Sequence, residues 1–289
     1  MAFAAIPSRP VTPAVGYNKV CELEDFADTD LRSVVRDVFD HERRRFGSDF
    51  PAGHEYRKYW EVGMAVRALR DFGALNPGAE ILGVGAGIEA TIFWLTRHVR
   101  RVFATDLYLT PGEWEFTAET PMLAEPERFA PFNDWNVRRL VVQHMNALDL
   151  RYEDESFDGL FSSSSIEHFG ELDDVSRSVR EMARVLRPAG VATLSTEFRI
   201  EGPSPGLPGT LIFSPAELFQ AVVDAADWEL VSPFDGHVSN ATLATEVQFA
   251  EAAADVQAGR DQWSTYPHIV LRDGDYAWTS VHLALRKRP

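Results

Sequence analysis

Apolar positions in the first third of the chain recur at the three- and four-residue spacing of helices. Leu31, Val34, Val35, Val38 and Phe39 share one face of a segment that Thr29 or Asp30 is placed to cap and Gly47 to end. A second helical stretch covers roughly Glu55 to Phe72, with Tyr59, Val62, Val66 and Leu69 apolar and Gly73 as its stop. The pattern then changes. Short apolar runs at Glu80–Val84, Arg101–Thr105, Arg139–Gln143, Phe157–Ser162 and Val191–Ser195 read as strands, with helices over Ile88–His98 and Asp173–Arg187 between them. Ser214-Pro215 opens a further helix through Ala226, a cap followed by proline at the first helical position. Trp228–Val231 reads as a strand, and Tyr276–Leu285 alternates around Trp278, Val281 and Leu283 as an antiparallel closing strand would.

Strands alternating with helices predict βαβ units, hence a doubly wound α/β fold with a mostly parallel seven-stranded sheet and helices on both faces. Residues 1–75 form a helical N-terminal cover in this reading, and residues 76–289 the α/β domain. Two stretches break the alternation: Tyr108–Val137, with four prolines and two tryptophans, and the Gly/Pro-rich Glu201–Gly209. Loops of that size are often functional, so residues 108–138 are expected to be an insertion that walls a binding site.

Composition narrows the class. The 289 residues are 45% hydrophobic and 25% charged, enough for a large core and unlike disordered or fibrous chains. The formal net charge of −16 argues against a polyanionic partner, so no nucleic acid is expected. Cys21 is the sole cysteine and cannot bridge internally, which points to a reducing compartment, the cytoplasm. No 18-residue apolar run suggests a membrane span, and Met1 to Tyr17 lack the pattern of a signal peptide. A small-molecule substrate is the expected partner; the oligomeric state, homo-oligomer or monomer, stays open.

The chemistry concentrates after the strands. Ile81-Leu82-Gly83-Val84-Gly85-Ala86-Gly87-Ile88 ends a strand and begins a helix, where glycines let the backbone turn sharply and approach a ligand closely. Asp106, 19 residues after Gly87, ends the next strand, where a carboxylate can accept both hydroxyls of a ribose. Asn146-Ala147 follows the third strand. Ser162-Ser163-Ser164-Ser165-Ile166-Glu167-His168 closes the fourth, and Val185-Leu186-Arg187-Pro188-Ala189-Gly190 leads into the fifth. A glycine loop with a downstream acid also suits a nicotinamide dehydrogenase, although Gly87 comes one position early for that motif.

With these motifs in order over roughly Glu80 to Thr196, the chain resembles class I S-adenosylmethionine-dependent methyltransferases, closest to bacterial sugar and glycoside O-methyltransferases. The resemblance implies a Rossmann-like fold binding S-adenosyl-L-methionine. Gly83, Gly85 and Gly87 would lie beside its methionine part, Asp106 on the ribose and Leu107 against the adenine. Asn146 and Ala147 would stand at the adenine edge, with Ser162 and Ser163 beneath the cofactor. The implied reaction is methyl transfer to a sugar hydroxyl, with His168 or His144 as base and Glu167 as its orienting partner.

Other readings stay open. Glu167, His168 and Glu197 could together hold Mg²⁺ or Mn²⁺. Tyr59, Trp60, Trp114 and Trp135 are candidate acceptor-facing aromatics, and Arg57 or Lys58 could meet the cofactor carboxylate. A phenol, a quinone precursor or an amine would keep the fold and cofactor with another acceptor. A cofactor-binding partner subunit that has lost catalysis would keep the fold and the cofactor without the reaction.

Overall fold

A computed structural model describes residues 2–6, 15–110, 117–251, 254 and 266–289. The chain begins with a short strand, β1 (Lys19–Val20), and three helices, α1 (Thr29–Val38), α2 (Asp40–Phe46) and α3 (Arg57–Asp71). The alternating region follows as β2 (Glu80–Val84), α4 (Ala90–Leu95), β3 (Arg101–Asp106), β4 (Leu140–His144), β5 (Phe157–Ser163), α5 (Leu172–Val185) and β6 (Leu186–Glu201). A small hairpin, β7 (Gly206–Leu207) and β8 (Thr210–Leu211), precedes α6 (Pro215–Leu218) and β9 (Trp228–Leu230). The chain ends with α7 (Asn240–Leu243), β10 (Val247–Gln248), β11 (Leu271–Asp273) and β12 (Tyr276–Lys287).

Seven strands in the order β9-β12-β6-β5-β2-β3-β4 form the body of one sheet, in which β2, β3, β4, β5 and β6 run parallel and β12 antiparallel to β6 and β9. The sheet counts ten strands rather than the expected seven, because β1 and β11 also pair with β12, and β10 with β11. Strand alternation divides the core as the two-residue period requires. Ile81, Val102, Phe161 and Val191 pack with α3 and α4 on one face, and Leu82, Leu160, Ala192 and Leu194 with α5 and α6 on the other. This is a Rossmann-like methyltransferase fold. The chain runs from β2 outward to β3 and β4, then returns to β5 on β2's other side. That reversal opens a crevice at the carboxyl ends of β2 and β5, where such sheets bind ligands.

Several boundaries differ from the sequence reading. The segment 29–47 is two helices, because Phe39 leaves helical geometry (φ −102°, ψ 43°). Its cap is Asp28, whose side chain accepts from the Leu31 N–H at 2.7 Å; Asp30 instead pairs with Arg67 and Arg70 of α3, both at 2.8 Å. Pro188-Ala189-Gly190 is a bulge within β6, whose register to β5 shifts between Phe157 and Gly159. The helix from Ser214 is one short turn, α6, continued by a wider π-type turn over Phe219–Val223. Among the described residues no helix is long and apolar enough to cross a membrane.

The cover depends on close packing of α1 on α3. A Cβ on Gly63 would lie 2.7 Å from Leu31 Cδ1 and 2.8 Å from Val35 Cγ2. Gly63→Ala should therefore cost about 1–3 kcal/mol through overpacking despite its better helix propensity. Urea denaturation checks this, and an unchanged or raised midpoint would contradict the packing.

Candidate functional site

The glycine loop is held from both sides of the crevice. Gly85 (φ 62°) and Gly87 (φ 50°) occupy left-handed backbone that a side chain disfavours. A Cβ on Gly85 would fall 2.6 Å from Ser165 Cβ, and one on Gly87 would strike the Thr117 carbonyl. The Ser165 hydroxyl donates to the Gly85 carbonyl at 2.6 Å, and the Tyr108 hydroxyl to the Gly87 carbonyl at 2.7 Å. Asp106 accepts from the Gly87 N–H at 2.9 Å and from the Leu107 N–H at 2.7 Å. Burial raises its carboxyl above the usual range, and those two donors work against the rise. Each carboxylate oxygen keeps a lone pair for a further donor. Leu107, beside it, is 41% exposed.

At the end of β5, Ser162 and Ser163 are buried and their hydroxyls meet no hydrogen-bond partner. Ser164 is left-handed (φ 47°) and turns the chain into the short helical turn Ile166–His168. His168 Nδ1 lies 3.0 Å from the Gly209 carbonyl in the β7–β8 hairpin. A carbonyl only accepts, so a neutral ring carries its proton on Nδ1 and keeps the Nε2 lone pair. Burial lowers the His168 pKa and favours that neutral form. Glu167, 1% exposed, accepts from the Thr196 hydroxyl at 2.8 Å through Oε2, while Oε1 meets no hydrogen-bond partner and lies 3.9 Å from His168 Nε2.

Beneath these residues lies a buried ionic cluster that joins α3 to β6 and β12. Arg57 Nη1 donates to both Glu197 oxygens, at 2.8 and 2.6 Å, and to Ser280 at 2.9 Å. Lys58 Nζ reaches Glu61 at 2.9 Å, Glu197 at 3.2 Å and the Ser164 hydroxyl. Glu61 also accepts from Ser164 at 2.8 Å, from Ser195 at 3.2 Å and from Ser280. The two cations hold Glu197 ionised, well below the usual carboxylate range despite its burial. Glu167 has no such pairing. Burial, reinforced by the Glu197 charge, pushes its carboxyl up, so it keeps a proton at neutral pH. Glu89, the first residue after the loop to flank α4, is likewise raised to about 8 by burial and by the Glu61 charge. Its Oε2 is buried without a hydrogen-bond partner.

The structure brings Gly83, Gly85, Gly87, Asp106, Leu107, Ser162, Ser163, Glu167 and His168 to the crevice, with Asn146 and Ala147 at the end of β4 on its far side. Other expectations need correction. Tyr59 and Trp60 are buried in the core, Tyr59 against Phe39 and Phe50, and Trp60 donating to Asp25 at 2.8 Å. Trp135 packs edge-on against Phe93 of α4. Around it, Arg97 lies over the Phe132 ring and Asn136 N–H donates to Thr96. The described part of the insertion thus packs along α4, while Tyr108 and Thr117 meet the glycine loop at Gly87. Trp114 lies outside the described residues. Arg57 is committed to Glu197 and Ser280, not to a cofactor carboxylate.

His144 is exposed at the end of the edge strand β4, where Leu109 N–H donates to its Nδ1 at 3.2 Å. Three strand spacings, roughly 14 Å, separate β4 from β5. His144 therefore stands on the Asp106 side of the crevice, away from His168. The suggested metal set also fails: Glu197 is taken by cations, and among the described residues no group of His, Cys, Asp and Glu could hold an ion. Sequence reasoning missed Glu61, Glu89, Ser164 and Ser165. The signal for Glu61 was its spacing three and four residues after Lys58 and Arg57; for Glu89 it was an acid beside a loop expected to meet a ligand.

The donor set fits S-adenosylmethionine: a carboxylate for a diol, an exposed leucine for a base, a side-chain-free loop, and an orphaned buried carboxylate oxygen. Residues 82–194 match the family model described as a methyltransferase domain. Among solved structures the chain is similar to the YcgJ protein of Bacillus subtilis, with 16% identity and a TM-score of 0.50 over 79% of this chain and 98% of that one. It is also similar to an S-adenosylmethionine-dependent methyltransferase from Mesorhizobium loti, with 16% identity and a TM-score of 0.44 over 76% and 96%.

The proton on Glu167 has a consequence for stability. Its folded pKa lies above the unfolded value, so the folded state binds more protons between the two and stability falls as pH rises through that window. Glu167→Gln removes this titration. Relative to the parent, the variant should gain stability from pH 5 to 8 and level off above. Urea denaturation across that range checks it; a difference independent of pH would contradict the protonated state.

Proposed function

We propose that this S-adenosylmethionine-dependent methyltransferase methylates a hydroxyl of a polar small molecule, a sugar or glycoside first among them, with His168 as the general base. The cofactor, when bound, supplies an electrophilic methyl group on a sulfonium. A neutral hydroxyl attacks such a carbon poorly, so a positioned base is worth about 10²–10⁴-fold. The observation that carries the reading is the placement of His168 on the short turn that follows β5, its Nδ1 bonded to the Gly209 carbonyl at 3.0 Å.

The other roles follow from position. In this reading Asp106 accepts from the ribose hydroxyls, Leu107 packs on the adenine, and Asn146 and Ala147 border it. Gly83, Gly85 and Gly87 leave room for the methionine part, over Ser162 and Ser163. Glu167, whose Oε2 accepts from Thr196 and whose Oε1 lies 3.9 Å from His168 Nε2, flanks the ring as its positioning neighbour and, kept protonated, does not compete as a base. In this reading α1, α2 and α3 serve as the N-terminal cover, and the α/β part that follows carries the reaction. Ring stacking on Tyr59, Trp60 or Trp135 has no support, since all three pack within the protein. Support for a sugar comes instead from the Ser-Ser-Ile-Glu-His-Phe-Gly run and from a site edge made of His168, Lys58, Ser164 and Glu89. Cys21, buried and unbridged, agrees with a reducing compartment such as the cytoplasm.

The test is methyl transfer from labelled cofactor to a panel of glycosides, phenols and amines. Turnover is expected with hydroxyl acceptors. His168→Gln should lower kcat by about 10²–10⁴-fold with the affinity for S-adenosylhomocysteine unchanged, and His144→Gln should leave kcat as it is. Turnover with amines alone, or an unaltered kcat in His168→Gln, would overturn the assignment.

A further inference from the structure

Between the diol-binding acid and the ionic cluster stands Glu89, a carboxylate with no evident structural duty. It directly follows the glycine loop and flanks the start of α4. The charged and titratable groups that face it come from every element around it: Glu61 and Lys58 from α3, Asp106 from the end of β3, and Tyr108 just beyond. Lys58 does not neutralise it, because its ammonium already serves Glu61, Glu197 and Ser164. Glu89 Oε2 is buried and has no hydrogen-bond partner. A buried oxygen left in this way costs stability, so a fold keeps one where a ligand completes it.

We propose that Glu89 is the recognition group for the α-ammonium of the cofactor's methionine part, and that binding expels a proton from its carboxyl. Glu89 is within electrostatic reach of both Asp106, which takes the ribose in this reading, and the Lys58–Glu61 pair that meets Ser164. With Arg57 and Lys58 already shared between Glu61 and Glu197, the carboxyls of Asp106 and Glu89 make this stretch of the crevice favourable to a positive charge and unfavourable to a carboxylate. The inference rests on the cofactor reading but not on the identity of the acceptor.

The proton gives a readout independent of activity. With a carboxyl raised to about 8, Glu89 is mostly protonated at pH 7. An ammonium beside it favours the charged form and releases the proton, so affinity should rise as pH increases toward 8. Titration calorimetry of the full chain with S-adenosylhomocysteine, at pH 7 in phosphate and in Tris, counts that proton. The parent should release close to one more proton than Glu89→Gln, and the variant should bind about 10- to 100-fold more weakly.

A deaminated analogue of S-adenosylhomocysteine completes the cycle. The parent should bind it as weakly as Glu89→Gln binds S-adenosylhomocysteine, without the proton release, and the substitution should not weaken it further. This arm uses the parent protein and holds even if the variant folds poorly. Equal affinity of the parent for both ligands, or equal weakening of both by the substitution, would overturn the role of Glu89. Folded parent that binds neither would overturn the cofactor reading as well.

Discussion

The pairing of Arg57 with Glu197 is the constraint on which the rest of the site depends. Taking two charges out of water costs several kcal/mol each, recovered only when geometry is good and the remaining donors and acceptors are used. Here a single guanidinium nitrogen spans both Glu197 oxygens and Ser280, and the neighbouring Lys58 and Glu61 extend the pair into a cluster. The cluster fastens the N-terminal end of α3 to the carboxyl end of β6 and to β12. It also sets the proton count. Arg57 and Lys58 pair with Glu61 and Glu197, and Lys58 only partly offsets the burial of Glu167, which keeps its proton beside His168.

The sheet was legible because its signal is local. Alternation in β2, β3, β5 and β6 sorts Ile81 from Leu82 and Phe161 from Leu160 without knowledge of the partners, and the helices and long crossovers between strands give parallel order. Helix α3 was legible in its ends but not in its surroundings. The periodicity of Tyr59, Val62, Val66 and Leu69 suggests one buried face and one solvated face. Every residue of α3 except Lys58 is in fact buried, because its polar face is closed by specific partners. Arg67 meets Asp30, Arg70 meets Asp30 and Asp71, and Trp60 meets Asp25. Apart from Asp71, the last residue of α3 itself, these partners lie on other elements, so spacing within the helix carries no trace of them. Trp60 and Tyr59 therefore looked available when they were core.

The same limit separates the two histidines. His144 and His168 each follow a strand and precede a polar stretch, and nothing in their neighbourhoods ranks them. Strand order does: β4 is the edge and β5 is central, so only one of them stands beside the reversal in the sheet. Asp106 and the glycine loop needed no such information, since the strand, turn and helix that place them are contiguous in the chain. The insertion misled for a different reason. Aromatics in a polar loop suit ring stacking and anchoring equally, and Phe132 and Trp135 anchor it to α4.

Stability and binding compete in the crevice. Oxygens of Ser162, Ser163, Glu167 and Glu89 are buried there without partners, each at a cost of about 1–3 kcal/mol. Immediately beneath them, Glu61 and Glu197 are among the best-satisfied carboxylates in the chain, together taking donors from Arg57, Lys58, Ser164, Ser195 and Ser280. The two layers explain each other. An ionic floor tied by many fixed donor–acceptor pairs lets the layer above keep acceptors unspent without collapsing onto them. Were the floor apolar, Ser164 would lose the Lys58 and Glu61 contacts that hold its left-handed backbone, and the turn carrying Glu167 and His168 would relax. The ordering of the turn that carries His168 thus reaches back, through Ser164 and Lys58, to the same pair of charges that joins α3 to the sheet.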